Sequence, residues 1–258
     1  MKFKGIAIWT VVLFIFFISA LNADEVFYQK LKLEGVRVHV VTVNLNSPNV
    51  RVKPVLAQRN NGLRNPAEYF WQFIYRLTPK AMINGTFHDT KTYNLAGTVI
   101  LDGKIKSFYR RGVAIIFNSD NRIDFLPAKY LDRKQLFGVD AITAGPTLLL
   151  RGKLSLSPRN EGFFDPALYR RAKRSALGKT AGNKFLLVTV DNPIYLKKLA
   201  SIMRKLKCVD AVSLDGGGSS GLYYRGKTLT RPIRPITNVV VVYEKKRGAG
   251  LPSAQKAN

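Results

Sequence analysis

Along most of the chain hydrophobic and polar positions alternate with the period of a strand. Val36 to Leu45 reads as a strand whose apolar set passes from Val36, Val38 and Val40 to Val41, Val43 and Leu45. That slip of phase predicts a bulge. His39 lies inside it with nothing acidic beside it in sequence, and is expected to be structural. Beyond Ala81 the strand pattern dominates: Thr98–Leu101, Val113–Phe117, Arg122–Phe125, Thr147–Leu150, Lys184–Val190, Ala211–Leu214, Leu222–Tyr224 and Asn238–Tyr243 all fit it. Turn residues punctuate the series at Asp102-Gly103, Asn118 to Asn121, Arg151-Gly152 and Arg225-Gly226.

Two stretches carry helical signals. Asn65-Pro66-Ala67-Glu68 has an N-cap, a first-position proline and an acid in the first turn, which predicts a helix start there. The aromatics that follow (Tyr69, Phe70, Trp71, Phe73, Tyr75) are expected to be core. A second helix is predicted over Pro193 to Lys207, with Leu196, Leu199, Ile202, Met203 and Leu206 as its apolar stripe. Cys208 after it is expected to be a small buried residue.

A short unit recurs three times: an apolar strand, a turn ending in Gly-Lys, and a return strand. It appears at Leu101–Lys104, Leu150–Lys153 and Tyr224–Lys227. Upstream of each stands a glycine-bearing motif: Asn84-Gly85-Thr86, Ala144-Gly145-Pro146 and Asp215-Gly216-Gly217-Gly218. This is either an internal repeat or one hairpin turn reused.

The termini read separately. Lys2 and Lys4, the uncharged run Gly5 to Leu21 and the small residue Ala23 form the pattern of a secretory signal, with cleavage after Ala20 or Ala23. An uncleaved anchor is the alternative, since the run sits at the lower limit for spanning a bilayer. Either places the rest outside the cytoplasm, secreted, periplasmic or anchored at the membrane. The expected organisation is a signal over 1–23, one domain over 24–247 and a flexible tail over 248–258. The expected fold class is α+β, a single domain with a mixed β-sheet core and helices packed outside.

Charge narrows the function. The chain has 42 Lys+Arg against 16 Asp+Glu in 258 residues, a formal net charge of +26. Folding does not require this excess; a polyanionic partner or an anionic surface is its usual physical reason. One cysteine and two histidines exclude a disulfide framework, a Cys-based zinc site and a multi-histidine metal centre. No cofactor is expected, although a structural calcium held by aspartate and backbone oxygens is compatible with the composition. No helix-turn-helix or RNP-type motif supports a nucleic-acid partner.

Candidate chemistry gathers at strand ends. Three apolar runs stop abruptly at a polar residue: Ala81–Ile83 at Asn84, Phe185–Val190 at Asp191, and Ala211–Leu214 at Asp215. A strand end holds a carboxylate rigidly while the following loop shapes a pocket. Three glycines after Asp215 cost backbone entropy, so the absence of side chains must serve something, such as a ligand against the backbone. No Gly-Lys-Ser/Thr follows, so this is not a Walker loop, and Ser219 lacks a nucleophile-elbow context. Between Pro166 and Lys207 stand eleven Lys/Arg and one acid, Asp191, with Arg170, Arg171, Lys173 and Arg174 clustered.

Four blocks in order resemble the phosphodiester glycosidase family. They are Ile83-Asn84-Gly85-Thr86-Phe87; Ala144-Gly145-Pro146 with Leu148-Leu149 and Gly152-Lys153; Arg174-Ser175-Ala176-Leu177-Gly178 with a later strand ending in Asp191; and Leu214 to Ser220. The resemblance spans roughly Ala81 to Tyr243. It implies cleavage of the C1–O bond of a sugar-1-phosphodiester. A phosphodiester is a far better leaving group than a sugar alcohol, so cationic stabilisation can replace part of a general acid's work. The resemblance implies that Arg174 binds the leaving phosphate and that Asp215 or Asp191 stabilises the oxocarbenium-like centre or activates water. Asn84 and His88 would orient the substrate. Gly85, Thr86, Gly145, Ser175, Gly216, Gly217, Gly218, Ser219 and Ser220 would line its binding site. The expected partner is therefore an anionic glycan or sugar-phosphodiester, with an anionic membrane or cell-wall surface as a further one. A non-catalytic module docking to anionic envelope polymers is the competing reading.

Overall fold

The computed structural model describes residues 24–133 and 138–245; the expected export segment and tail lie outside the described residues. Three sheets make up the fold. The first has seven strands in the order β1-β2-β13-β12-β14-β10-β11: Val26–Leu33, Val36–Asn44, Lys184–Val190, Ser175–Thr180, Cys208–Ser213, Thr147–Leu150 and Lys153–Leu154. The second has five, β16-β15-β4-β17-β3: Lys227–Thr230, Leu222–Tyr224, Ala81–Asn84, Asn238–Glu244 and Val50–Leu56. The third has five, β6-β5-β9-β7-β8: Lys104–Ser107, Val99–Leu101, Asp140–Ala144, Val113–Phe117 and Ile123–Pro127. Every pairing among the described residues is antiparallel.

The α+β expectation, with its mixed sheet and helices packed outside, is thereby corrected. The described residues form an antiparallel β fold with two α-helices, α1 (Phe70–Leu77) and α2 (Leu196–Lys205). The apolar runs that suggested a doubly covered mixed sheet have a different cause. The inner faces of all three sheets meet in one core, with Phe185 and Val212 from the first, Ile83 and Val240 from the second, and Ile115 and Ile142 from the third. Each sheet has a further apolar layer on its outer face: α2 on the first, α1 on the second, and Leu131 with partly buried Phe108 on the third. Antiparallel strands buried on both faces read as continuous apolar runs, much as parallel ones do.

The same burial explains β2. Its register with β1 and β13 is unbroken, so there is no bulge. Val36, Val38 and Val40 face the α2 layer, whereas Val41, Val43 and Leu45 face the central core. The phase slip marks two buried faces.

The recurring hairpin is a structural repeat. Each copy forms one edge of a different sheet: β5–β6, β10–β11 and β15–β16. Each is preceded by a strand carrying a glycine motif at its end, β4, β9 and β14, and each hairpin pairs with the next unit's strand. Thus β5 pairs with β9, β10 with β14, and β15 returns to β4. The exchange closes on itself. The turn residues Asp102-Gly103, Arg151-Gly152 and Arg225-Gly226 all have positive φ, the geometry a tight two-residue hairpin requires.

The first helix starts later than its sequence signal. Tyr69 occupies the N-cap, and the Gln72 side chain accepts from the Tyr69 N–H. Asn65 instead ties its loop to the Thr92 carbonyl and to Asn94. Glu68 is buried in an ion pair with Arg76 and accepts from the N–H groups of Gln58 and Arg59. Of the expected core aromatics only Phe70 and Phe73 are buried; Tyr69, Trp71 and Tyr75 are exposed.

Phe185 is fully buried and meets Phe117 edge-on across the central core, with ring centroids 6.4 Å apart. Phe185→Ala is expected to lower unfolding free energy by about 3–5 kcal/mol in denaturant titration, because the facing sheets cannot collapse into the void.

Candidate active site

The strand ends that carry the three glycine motifs hold one another. Thr86, just past β4, donates its hydroxyl to the Thr143 carbonyl at the end of β9. Beyond β9, the carbonyl of Pro146 accepts from the Ser213 N–H at the end of β14. From β14 the contacts return to β4: Asn84 donates its side-chain amide to the Asp215 carbonyl at 2.8 Å, and the Asp215 N–H lies 3.4 Å from the Gly85 carbonyl.

Much of this ring is structural. Asn84 also accepts from the Gly221 N–H at 3.0 Å, so both ends of its amide are engaged with backbone. Thr86 is buried; Asn238 accepts from its N–H and donates to its carbonyl. Gly85 leaves the room that Asn238 fills, and Gly145 the room taken by the Phe163 ring.

The polar centre lies beside it. Asp215 is mostly buried, and burial raises its carboxyl to about pH 6 against hydrogen bonds from Ser219 and Gly216 and the positive charge of Arg234. His88 Nδ1 is 3.6 Å from Asp215 Oδ2, just too far for a hydrogen bond. Burial, reinforced by Arg234, lowers the His88 imidazole to about 4, so it is neutral near pH 7. The ring stacks on Tyr93, with centroids 5.6 Å apart. Neither His88 nitrogen has a hydrogen-bond partner, and the hydroxyls of Ser175 and Ser220 are likewise buried without one. Buried polar atoms left unpaired cost free energy, and they cluster where a ligand can satisfy them.

The glycine loop brings a cation to this centre. Gly217 has φ +58°, and a Cβ on Gly218 would fall 2.5 Å from Arg234 Nη2 and 2.8 Å from Nε. The missing side chain is what admits the guanidinium. Arg234 makes no hydrogen bond or salt bridge among the described residues and is half-buried.

Two residues singled out in sequence are tied to groups outside this centre. Arg174 is buried, and its guanidinium donates to three backbone carbonyls: Ile194 at 3.3 Å, Leu168 at 2.8 Å and Arg170 at 2.6 Å. It lies under Gly216, with Nη1 3.7 Å from where a Cβ would be. Strand neighbours point to opposite faces, so Ser175 looks into the central core side and Arg174 toward the α2 side. Asp191 leaves the first sheet two strands from Asp215, with both oxygens taken: Oδ1 by His39 Nε2 at 2.7 Å and Oδ2 by Arg37 Nε at 3.0 Å. His39, bare of acidic neighbours in sequence, thus has one in space, and its Nδ1 is 2.7 Å from the Tyr28 hydroxyl.

Sequence reading missed Arg234 and Tyr93. The signal for Arg234 is the stiff segment Arg231-Pro232-Ile233-Arg234-Pro235, which enters a strand instead of leaving one. Tyr93 has φ +57° in a loop that Asp89 holds through Lys91 and Thr92. Behind Tyr93 opens a cleft of about 380 Å³ lined by Asn65, Asn94, Lys106, Tyr109 and Thr237 among others. Among the described residues no group of three His, Cys, Asp or Glu comes together to hold a metal.

Comparison with known proteins agrees with this architecture. A Synechocystis hypothetical protein of solved structure superposes with a TM-score of 0.71 at 17% identity, over 85% of this chain and 62% of that one, so the chain spans less than two thirds of its length. The catalytic domain of zebrafish N-acetylglucosamine-1-phosphodiester alpha-N-acetylglucosaminidase, auto-inhibited by its pro-peptide, superposes with a TM-score of 0.68 at 20% identity, over 87% of this chain and 85% of that one. No curated protein sequence matches. The profile of the phosphodiester glycosidase family matches residues 78–243, which takes in all three glycine motifs, Asp215 and Arg234, and the chain belongs to that family.

Proposed function

We propose that this protein hydrolyses the C1–O bond of a sugar-1-phosphodiester outside the cytoplasm, with an envelope or extracellular glycan as the source of substrate. One observation carries the reading: a buried carboxylate with a raised pKa, Asp215, stands beside a neutral imidazole and an unpaired guanidinium. The signal-like pattern of the first 23 residues supports the location, and similarity to zebrafish N-acetylglucosamine-1-phosphodiester alpha-N-acetylglucosaminidase supports the substrate class.

In this reading Asp215, ionised above about pH 6, takes a proton from the water that attacks C1. The C1–O bond breaks and its electron pair leaves with the phosphate. Arg234, fixed over Gly218, takes the phosphate charge; its fork suits two phosphate oxygens. His88, Ser175 and Ser220 offer unpaired donors and acceptors to sugar hydroxyls. Arg174 becomes a buttress under Gly216, and Asp191 a residue held in its own ion pairs. The products are a reducing sugar and a phosphomonoester.

Asp215→Asn is expected to lower kcat by ~10²-fold or more. It should not lower stability at pH 7. The folded chain holds the Asp215 proton up to about 6 and the unfolded chain only to 3.8, so burying the charge costs stability as pH rises through that window. The amide avoids the cost, and Tm at pH 7 should hold or rise. For the parent enzyme, kcat/KM should fall about tenfold per pH unit below pH 6.

The two arginines separate by different readouts. Arg234→Lys and Arg234→Ala should both cut kcat/KM on a phosphodiester by about 10²-fold with Tm kept, since either loses the fork. Arg174→Ala should lower Tm, because three buried carbonyls lose their donor. Steady-state kinetics and calorimetry on the same preparations decide between them.

A further inference from the structure

The centre proposed above uses few of the chain's excess cations. A group of them lies on one face that begins at the glycine loop. Lys173 accepts from the Gly217 N–H through its carbonyl at 2.8 Å. One residue back, Ala172 bridges to Ile194, and Arg171 Nε donates to the Pro193 carbonyl at 3.2 Å. That places Arg170, Arg171 and Lys173 alongside the start of α2. From the outer side of α2, Lys197, Lys198 and Arg204 continue the series, all exposed.

None of these six cations makes a salt bridge among the described residues. The acids nearby have partners of their own: Glu34 pairs with Lys205 at 2.6 Å and feels Lys198 only through space, and Asp191 pairs with Arg37 and His39. The placement also runs against helix electrostatics. The first turn of α2 holds Lys197 and Lys198 and no acid, at the end where the helix dipole is already positive. An arrangement that is locally unfavourable and short of paired acids suits an anion that arrives from outside.

We propose that this face is a binding track for a linear polyanion whose repeating units are joined by phosphodiesters, running from α2 past Arg171 and Lys173 to the glycine loop. The naming of that chain as substrate rests on the glycosidase reading; the binding itself does not. A linear chain suits the layout better than a lipid surface. A bilayer would lie over the whole face and close off the loop, whereas a chain can pass along the cations and present one linkage to Asp215.

The test uses long-chain inorganic polyphosphate as probe and the triple variant K197Q/K198Q/R204Q, whose positions are exposed and outside the proposed active site. The parent protein should bind polyphosphate in a salt-dependent manner. The variant should bind at least tenfold more weakly at 50 mM salt, and its log–log salt slope should be shallower by about two, at roughly 0.7 released counterions per neutralised phosphate. On methyl-phosphodiester-linked N-acetylglucosamine, a small substrate, the variant should keep kcat/KM within twofold, while polyphosphate inhibits it at least tenfold less well than the parent. Equal polyphosphate affinity in parent and variant would overturn the track. So would binding to phosphatidylglycerol vesicles that polyphosphate does not compete away. If the parent cleaves no sugar-1-phosphodiester while the variant still loses polyphosphate binding, the glycosidase reading fails and the track stands.

Discussion

The contacts that tie the ends of β4, β9 and β14 into a ring are what the rest of the structure depends on. Each end is the terminus of a strand buried on both faces, so none can shift without disturbing the common core. The exchange of hairpins puts each of these strands into a sheet built largely by another unit. A residue at one end is therefore positioned by distant segments of chain. Asn84 and Asp215 are 131 positions apart, yet they are joined by a hydrogen bond of 2.8 Å. That rigidity is what a preorganised polar centre needs, because catalytic geometry is lost with small displacements.

Rigidity is one property of this centre; the balance of charge is the other. Burial acts on Asp215 and His88 in opposite chemical senses, raising one and lowering the other, and both effects disfavour the charged form. Arg234 supplies a positive field that acts on both groups. It favours the Asp215 carboxylate and disfavours the imidazolium of His88. The combination that emerges near neutral pH is carboxylate, neutral imidazole and guanidinium. In the proposed reaction the carboxylate would handle the water and the cation the departing charge, so an acidic leaving group needs no strong acid at the bridging oxygen.

How much of this was legible in the sequence depends on whether the cause is local. The hairpin turns were, since Asp-Gly and Arg-Gly pairs report the positive φ at the turn itself. So were the strand ends at Asn84, Asp191 and Asp215. The helix starts later than its signal because Asn65 and Glu68 have the chemistry of caps but are engaged otherwise, Asn65 by Asn94 from a later loop and Glu68 by Arg76 from the far end of the helix. The phase slip in β2 was misread because periodicity cannot distinguish a bulge from a strand buried on both faces. Arg174 heads a matching block, but its contacts with the carbonyls of Ile194, Leu168 and Arg170 were not legible, because which face of a strand end a side chain takes is set by pairing.

Arg234 shows the limit most clearly. Nothing in its own segment marks it as different from Arg231, three residues earlier; both precede proline. What distinguishes it is Gly218, which lacks the Cβ that would collide with the guanidinium. The triple glycine was visible in sequence as a backbone without side chains, and a ligand was the natural candidate for the vacated space. In the structure the space at Gly218 belongs to an arginine of the same chain, and only that arginine's outward donors are left for a ligand. A glycine-rich loop can thus act at one remove, by admitting a cation to the rim of a buried carboxylate.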